Sequence, residues 1–479
     1  LDTAYQYNNI VRHGRILGYK YQGPDSTYGT VSMFVLVPAS TTGLGPDTDY
    51  IPIAKSGTRF SSQTGLSFVL TENVDFSDSS NPVVVATVDT DTGAPTYYAI
   101  KATGNVVSGY ITEERIRIGQ YERFLKTRLS SNNVAEIISV VDSEGNEYFE
   151  VDFLAQDMVF KEIANTNYKN DNVPSVLKPY LVSRKFVVER DVVNTYLQFG
   201  SGKEGESDVV ADPQSVAIDA FGKSYVTDTT FDPTRLTKNQ SLGVVPSNTT
   251  LTVTYRLTST VNSNVATNGL NQVNTVEMNF TDAASLVSSK MQEVIDSLEV
   301  ANEEPIIGDV TTPDSDELKR RIFDTFPTQN RAVTQADYES VVYRMPSTFG
   351  SIKRCSVQKD PNAIKRNLNL YVVSEDSQEK LTTTNSTIKN NVKTWINQYR
   401  MMNDTIDILD PYILNLGIEF TIKAATATDK FTLLESAVDA LSKKYSTPFF
   451  IGEPIYISDI FSELKNVTGI LDVVTVTLR

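Results

Sequence analysis

The chain has 479 residues and a net charge of −16, a balance that argues against phosphate-backbone binding as its main role. One histidine and one cysteine are too few for a zinc site or an intrachain disulfide. With 40 % hydrophobic residues and no apolar run near the roughly 20 residues of a membrane helix, we expect about three globular domains that fold in a reducing compartment.

The first half of the chain has the pattern of β-structure. The runs TVSMFVLVPA, NPVVVATVDT and SRKFVVER are rich in β-branched residues, and SGTRFSSQTGLSFVLTENVDF alternates across two short strands. In AEIISVVDSEGNEYFEVDFL, two strands flank Asp142–Gly145, where Gly145 can take the positive φ of a hairpin turn. In VVPSNTTLTVTYRL, Leu251, Val253 and Tyr255 fall on one face of a strand.

The middle of the chain is rich in Asn and Thr. STVNSNVATNGLNQVNTVEMNF has little apolar periodicity and predicts a long exposed connection. From Ser285 to Leu298 two interpretations stay open. One is a helix with Val287, Met291, Val294 and Leu298 on one stripe, and the other is a strand in DSLEVANEEP that leads into a turn.

After Thr311 the apolar spacing becomes helical. TTPDSDELKRRIFDTF places Pro313 and acids at a helix start and basic residues later, an order that suits the helix dipole. Strands are predicted in RNLNLYVVS and ILNLGIEFTIKAA, and the final segment predicts a strand, a short helix capped by Ser458, a turn at Gly469 and a strand. The predicted core-facing helical stripes are Leu318, Ile322 and Phe326; Ile388, Val392, Trp395 and Tyr399; and Phe431, Leu434, Val438 and Leu441.

These patterns together predict a multidomain α+β fold. Small sandwich or hairpin domains would form a β-rich N-terminal half, followed by small α+β modules with helices packed on antiparallel or mixed sheets. The predicted divisions are an N-terminal connecting segment at 1–50, β-rich domains at 51–265, a connecting element at 266–310, an α+β module at 311–410 and a C-terminal α+β module at 411–479.

The side chains that could carry catalysis are few. His13, in IVRHGRILGY, is the sole candidate for a histidine base, and a structural role is the stronger interpretation. Cys355 lies in the predicted strand SIKRCSVQ, so a buried structural cysteine is favoured over a thiol nucleophile. We therefore predict no catalytic, metal-binding or cofactor-binding residue.

Two motifs resemble binding loops but lack the required context. GSGKEG has the glycine spacing of a dinucleotide loop at Gly200, Gly202 and Gly205, yet the residues that follow have no helical period. VDTDTG begins like a calcium loop, but Gly93 and Ile100 stand where oxygen ligands are needed. A flexible glycine turn and a hairpin turn are the favoured interpretations.

The stretch RAVTQADYESVVYRMP predicts a helix with a strong start. Thr334 can cap it, and Asp337 stands at the third helical position, which is a capping-box arrangement. Tyr338 begins a core-facing patch that continues with two valines, and Pro346 ends the helix because proline cannot continue one.

Several of these segments, in this order, resemble the baseplate J-like family of contractile phage tails, and most of all its T4-like wedge members. IPIAKSGTRFSSQTGLSFVLTENVDF, VVDSEGNEYFEVDFLAQD, YLQFGSGKEG and VPSNTTLTVTYRL carry the likeness in the first half. PDSDELKRRI, RAVTQADYESVVYRMP, LLESAVDALSKKY and IGEPIYISDIFSELKNVTGILDV carry it in the second. Only Gly308 remains of a glycine pair often seen before the acidic helix, and the N-terminal helical part of T4-like members is absent or lies before Leu1.

The resemblance implies a structural role without catalysis or a cofactor. Such proteins assemble, as paired copies per wedge, into the inner baseplate ring that joins the wedges around the hub and relays the rearrangement that triggers sheath contraction. The implied partners are further copies, other wedge proteins and a sheath-initiator protein, with no nucleic acid, membrane or small-molecule substrate. The expected location is the tail baseplate of a virion assembled in the bacterial cytoplasm.

Two other functions stay open on the residues alone. A tail-fibre-type protein that binds host glycans is one, since 23 tyrosines are available for stacking on sugars. A polysaccharide depolymerase is the other, although 59 acidic residues leave no particular catalytic pair indicated.

Overall fold

The computed structural model describes residues 1–41, 44–156, 158–164, 175–203, 242–259, 261–361, 367–425, 429–445 and 449–479. The strands before residue 200 in these ranges are β1 (Tyr28–Pro38), β2 (Ile53–Ala54), β3 (Arg59–Ser62), β4 (Ser67–Leu70), β5 (Val74–Asp75), β6 (Val83–Val88), β7 (Pro95–Ser108), β8 (Tyr110–Arg117), β9 (Lys126–Arg128), β10 (Val134–Val141), β11 (Glu147–Glu150), β12 (Met158–Ala164), β13 (Ser175–Leu181), β14 (Lys185–Arg190) and β15 (Thr195–Phe199).

The later strands are β16 (Thr250–Leu257), β17 (Leu270–Thr275), β18 (Met278–Asn279), β19 (Glu299–Ala301), β20 (Arg354–Lys359), β21 (Asn367–Glu375), β22 (Leu381–Thr383), β23 (Thr405–Leu409), β24 (Ile418–Ala424) and β25 (Ile470–Leu478). The α-helices in the described ranges are α1 (Tyr7–Ile16), α2 (Ser288–Asp296), α3 (Ser315–Thr328), α4 (Gln335–Tyr343), α5 (Ser386–Ile396), α6 (Lys430–Lys444) and α7 (Ile457–Asn466). These elements confirm the predicted α+β class and the β-rich N-terminal half.

The first large sheet has the strand order β17-β3-β4-β7-β1-β19, with β6 also paired to β7. Its centre is the antiparallel pair β1–β7, which runs from Tyr28 opposite Val107 to Pro38 opposite Tyr97. Alternate side chains of β1 point into the core, as the period of a strand requires. The predicted divisions of the chain stay predictions, although β1 comes from the segment expected to be a connection.

The second large sheet has the order β8-β16-β10-β11-β14-β15-β9. Leu251, Val253 and Tyr255 of β16 are buried on one face, as predicted. The hairpin of β10 and β11 is confirmed, and Gly145 in its turn has a φ of 86°, a value at which a residue with a Cβ is strained.

The next part of the chain is an α+β module on a mixed sheet. β20 and β22 flank β21 in antiparallel pairs, and β23 pairs with β21 in parallel. Helices α4 and α5 pack on this sheet. The predicted stripe of α5 is confirmed at Ile388 and Val392, which are buried, and at Trp395, which is partly buried. The helix ends at Ile396, so Tyr399 packs against the same core from beyond the helix.

The C-terminal module is smaller. β24 and β25 form a two-stranded antiparallel sheet, and α6 and α7 pack on it around a core of five buried side chains: Ala437, Leu441, Ile460, Leu464 and Val473. In the part of the chain that the structure describes, no helix combines the length and apolarity needed to cross a membrane.

Two helical stripes were predicted on the wrong residues. In α3, Leu318 and Ile322 are buried, but Phe326 is 60 % exposed and Thr325 takes the next inward position. At about 100° of rotation per residue, positions 325 and 326 both lie beside the buried face of the helix. Thr325 can be buried because its hydroxyl donates to the Arg321 carbonyl.

In α6 the error involves three residues. Phe431, Leu434 and Val438 are exposed, and the buried stripe is Leu433, Ala437 and Leu441. The helix has two apolar stripes, and the small side chain of Ala437 lets the second one approach the sheet closely.

The Asn- and Thr-rich segment is not the exposed connection that was predicted. Asn264 and Leu270 are buried, and β17 pairs with β3 at the edge of the first sheet. Both interpretations hold for part of the segment that begins at Ser285. Helix α2 forms with Val294 and Leu298 buried, although Val287 of the predicted stripe is exposed, and strand β19 forms within DSLEVANEEP.

The predicted strand before α7 is absent from the described residues around 453–456, and Ser458 does not cap that helix. The helix begins at Ile457 with Tyr456 at the capping position, so Ser458 already lies within the first turn.

Helix α4 begins as predicted. The Thr334 hydroxyl accepts from the Asp337 N–H at 3.2 Å, and the Asp337 carboxylate accepts from the Thr334 N–H at 2.8 Å. These N–H donors hold the pKa of the Asp337 carboxyl below its usual value despite partial burial, so the capping box is stable in its ionised form.

We expect Thr334→Ala to lower the free energy of unfolding by about 1 kcal/mol, because it leaves the Asp337 N–H without its cap. Urea denaturation of the purified chain measures the change, and Thr334→Ser, which keeps the hydroxyl, is the matched control. An equal loss in both variants would contradict the capping role.

Candidate functional site at the module junction

The residues considered for catalysis lie apart from one another. His13 is exposed on α1. Cys355 is buried in β20, its N–H donates to the Tyr343 hydroxyl at 3.1 Å, and burial raises the pKa of its thiol to about 12. A thiol with that pKa carries almost no thiolate at neutral pH, so the predicted structural role fits the geometry.

The two motifs that resemble binding loops, GSGKEG and VDTDTG, have structural roles in the described residues. The Gly202 N–H donates to the Gly243 carbonyl at 2.9 Å, and a Cβ on Gly200 would lie 1.8 Å from the Leu242 carbonyl oxygen. These glycines therefore allow two backbone segments to approach closely, while Gly205 lies outside the described residues. The calcium-like motif is the hairpin turn between β6 and β7, with Asp89 accepting from backbone N–H groups.

Helix α4 ties together parts of its own module. The Tyr338 hydroxyl donates to the Asp404 carboxylate at 2.7 Å, and the Trp395 indole N–H donates to the Val341 carbonyl at 2.8 Å. The Glu339 carboxylate accepts from the Val357 N–H at 3.1 Å. The acids and tyrosine of this stretch are therefore used in packing.

A buried polar joint forms where the two large sheets meet the α+β module. At its centre, the Asn264 side chain donates to the carbonyls of Asp309 and Glu375 and accepts from the Asp309 N–H. The Asp309 carboxylate accepts from the N–H and the hydroxyl of Ser263 at 2.8 and 3.0 Å. One asparagine thus connects the segment between β16 and β17 to the segment before α3 and to the end of β21.

An ion pair extends the joint into the α+β module. The Lys353 ammonium lies 2.8 Å from the Glu375 carboxylate, and the two side chains are 6 % and 1 % exposed. The second oxygen of Glu375 accepts from the N–H and the hydroxyl of Thr311 at 2.7 and 2.8 Å. Every charge in this pair has partners, which is the condition under which a buried ion pair is tolerated.

Arg256 of β16 connects the two large sheets. Its buried guanidinium donates to the Ser108 carbonyl at the end of β7 and to the Ser26 hydroxyl, and it pairs with the Glu136 carboxylate of β10 at 3.3 Å. The Thr27 N–H donates to the Ser108 hydroxyl at 3.0 Å, which fixes the segment that leads into β1.

Asp25 lies in this same segment, in the wall of a cavity of about 600 Å³. It accepts from the Ser351 hydroxyl, and loss of hydration together with repulsion from Asp309 raises the pKa of its carboxyl to about 7. Arg321 and Tyr343 also line the cavity. Among the described residues, no group of three or more His, Cys, Asp or Glu side chains is placed to hold a metal ion.

These buried contacts can fix the orientation of the two large sheets relative to the α+β module. A different packing of the three parts would leave buried amide, carboxylate and ammonium groups without partners, at a cost of several kcal/mol. Sequence reasoning misses the joint, because its members are far apart in the chain and Asn264 stands in a polar segment. The available signal is Lys353-Arg354, two cations within an otherwise strand-like run.

No family profile and no curated protein sequence matches the chain. Among the solved structures that overlap with it at low similarity are two baseplate assemblies. One is titled as a cryo-EM structure of the anti-feeding prophage baseplate, with 9 % identity, a TM-score of 0.26, and coverage of 98 % of this chain and 76 % of that one. The other is titled as the type VI secretion system TssK-TssF-TssG baseplate subcomplex, with 8 % identity, a TM-score of 0.28, and coverage of 84 % and 92 %. Overlap at this level does not by itself establish a shared fold or function.

We expect Lys353→Met to lower the free energy of unfolding by about 3 kcal/mol, because it leaves the buried Glu375 carboxylate without its cation. Adding Glu375→Gln should restore most of the loss, since the amide oxygen still accepts from Thr311. Urea denaturation of the single and double variants measures both effects. Lys359→Met, on the exposed end of β20, is the matched control, and an equal loss there would contradict a special role for the buried pair.

The Asp25 carboxyl should make stability depend on pH. Its folded pKa, about 7, lies above the ordinary value of 3.8, so the folded state binds the extra proton and loses stability as pH rises between these values. We expect Asp25→Asn to gain on the order of 1 to 2 kcal/mol relative to the wild type at pH 8, and clearly less at pH 4.

Denaturation at both pH values tests this, with the exposed Asp282→Asn as control. An Asp25→Asn effect that is the same at pH 4 and pH 8 would show that the carboxyl does not titrate in this window.

Proposed function

We propose that this chain is a structural subunit of a contractile phage tail baseplate. In this role it forms the inner ring that joins the wedges around the hub, and it relays the rearrangement that triggers sheath contraction. Its partners are further copies of itself, other wedge proteins and a sheath-initiator protein, and its place is in the virion.

The observation that carries the proposal is the ordered set of family-like segments along the whole chain, with RAVTQADYESVVYRMP as the clearest. That stretch folds into a capped, buried helix whose contacts are mainly to its own module, and the Gln22 side chain also donates to the Arg344 carbonyl. It has the geometry of a packing element, which suits a subunit whose function lies in assembly.

The buried joint supports a mechanical role. A subunit that passes a displacement between neighbours must move as a connected body, and the contacts of Asn264, Lys353 and Arg256 connect three sheets through buried hydrogen bonds and ion pairs. Large apolar side chains exposed on the C-terminal module, among them Phe431 and Leu434, offer surface for neighbouring subunits.

The proposal includes the absence of catalysis. The cysteine is buried with a raised pKa, and His13 is exposed on α1. Glycan binding and polysaccharide depolymerisation therefore serve as the competing outcomes of the experiment.

The test is a cryo-EM reconstruction of purified particles that carry this chain. We expect density for it in a ring around the central hub, in contact with further copies. Density in fibres or in the capsid would overturn the proposal. Glycan-array binding and depolymerase assays on the purified chain complete the test, and reproducible binding or turnover would favour the other functions.

A further inference from the structure

Strand β6 leaves one edge of the first large sheet unpaired. It pairs with the N-terminal half of β7, from Val83 opposite Ile100 to Val88 opposite Pro95, and β1 occupies the other side of β7. Within the described ranges, no strand pairs with the outer edge of β6. At about 3.3 Å per residue, this open edge is roughly 20 Å long.

The side chains of this edge are apolar and exposed on both faces. The strand reads VVVATV, all six residues are exposed, and Val84 and Val85 are 60 % and 50 % exposed. Residues 83–88 themselves carry no charge and no proline, and no described strand covers their outer edge, so this is the type of edge that natural proteins avoid unless another chain pairs with it.

The pairing register shows which backbone groups are available. The register is regular from Val83 to Val85 and shifts between Val85 and Thr87 and again between Thr87 and Val88. The Lys101 N–H donates to the Pro82 carbonyl, so in the regular part the ladder bonds alternate through Pro82 and Val84, and the N–H and C=O groups of Val83 and Val85 point away from β7. An added strand would meet these groups and the four valines of β6.

The ends of the edge are acidic. Asp75 and Asp78 precede β6, Asp89 and Asp91 follow it, and all four are exposed and form no ion pair with any described residue. Backbone N–H donors hold the pKa of the Asp78 and Asp89 carboxyls below the usual value, so both are ionised at neutral pH. A second copy of the edge, in either direction, would bring carboxylates against carboxylates.

We infer that β6 is a docking edge for an extended segment of a partner protein, apolar in its middle and carrying Lys or Arg at its ends, which pairs with it as an added strand. The backbone supplies the hydrogen bonds, the valines supply apolar contact, and the four aspartates select basic ends. This follows from one sheet edge and would hold if the chain served in another assembly.

The experiment measures binding of a synthetic peptide of about ten residues to the whole chain by fluorescence anisotropy. The peptide alternates Val and Thr in its middle and has lysines at both ends. Val85→Pro removes an outward N–H without touching the ladder to β7, and we expect it to weaken binding roughly tenfold or more. Val85→Thr keeps the N–H and the β-branched shape, and should bind like the wild type.

A second variant tests charge without altering the strand. Asp78→Asn with Asp91→Asn should weaken binding several-fold at low salt, and a peptide with glutamates at its ends should bind least. Circular dichroism confirms that each variant is folded.

Three outcomes would overturn the inference. The first is equal binding by Val85→Pro and Val85→Thr, and the second is equal binding of peptides with basic and acidic ends. The third is concentration-dependent dimerisation of the wild type in analytical ultracentrifugation that Val85→Pro abolishes, which would assign the edge to a second copy.

Discussion

The arrangement of this protein depends on the buried hydrogen bonds of Asn264. Its side chain meets the backbone of Asp309 and Glu375, which belong to parts of the chain that are far apart in sequence. An amide that is buried among carbonyls must find these partners, since an unpaired buried polar group costs more than most single contacts supply. The joint therefore selects one relative position of the sheets it connects.

Around that joint, the apolar cores are separate. The two large sheets, the α+β module and the C-terminal module each bury their own cluster, and a small cluster links α1 to α3. Apolar packing stabilises each part, but it is not directional. The ion pair of Lys353 with Glu375 and the hydrogen bonds of Arg256 are directional. This division suits a protein that keeps exposed apolar surface for neighbours.

Local sequence signals predicted much of the fold. Runs of β-branched residues located β1 and β6, alternation located β16, the turn at Gly145 was placed correctly, and the capping box of Thr334 and Asp337 forms as expected. Each of these depends on residues within a few positions of one another. The wrong predictions arise where two local patterns are equally good. Helix α6 has two apolar stripes, and only its packing in the fold determines which of them contacts the sheet.

The sequence by itself determined the class of fold, the position of most strands, the start of α4 and the scarcity of catalytic side chains, because composition and short-range periodicity carry that information. Only the tertiary structure decided that Asn264 is buried, that Lys353 pairs with Glu375 and that no described strand pairs with the outer edge of β6. These features join or separate residues that are distant along the chain, and no local pattern records which distant segment supplies a partner.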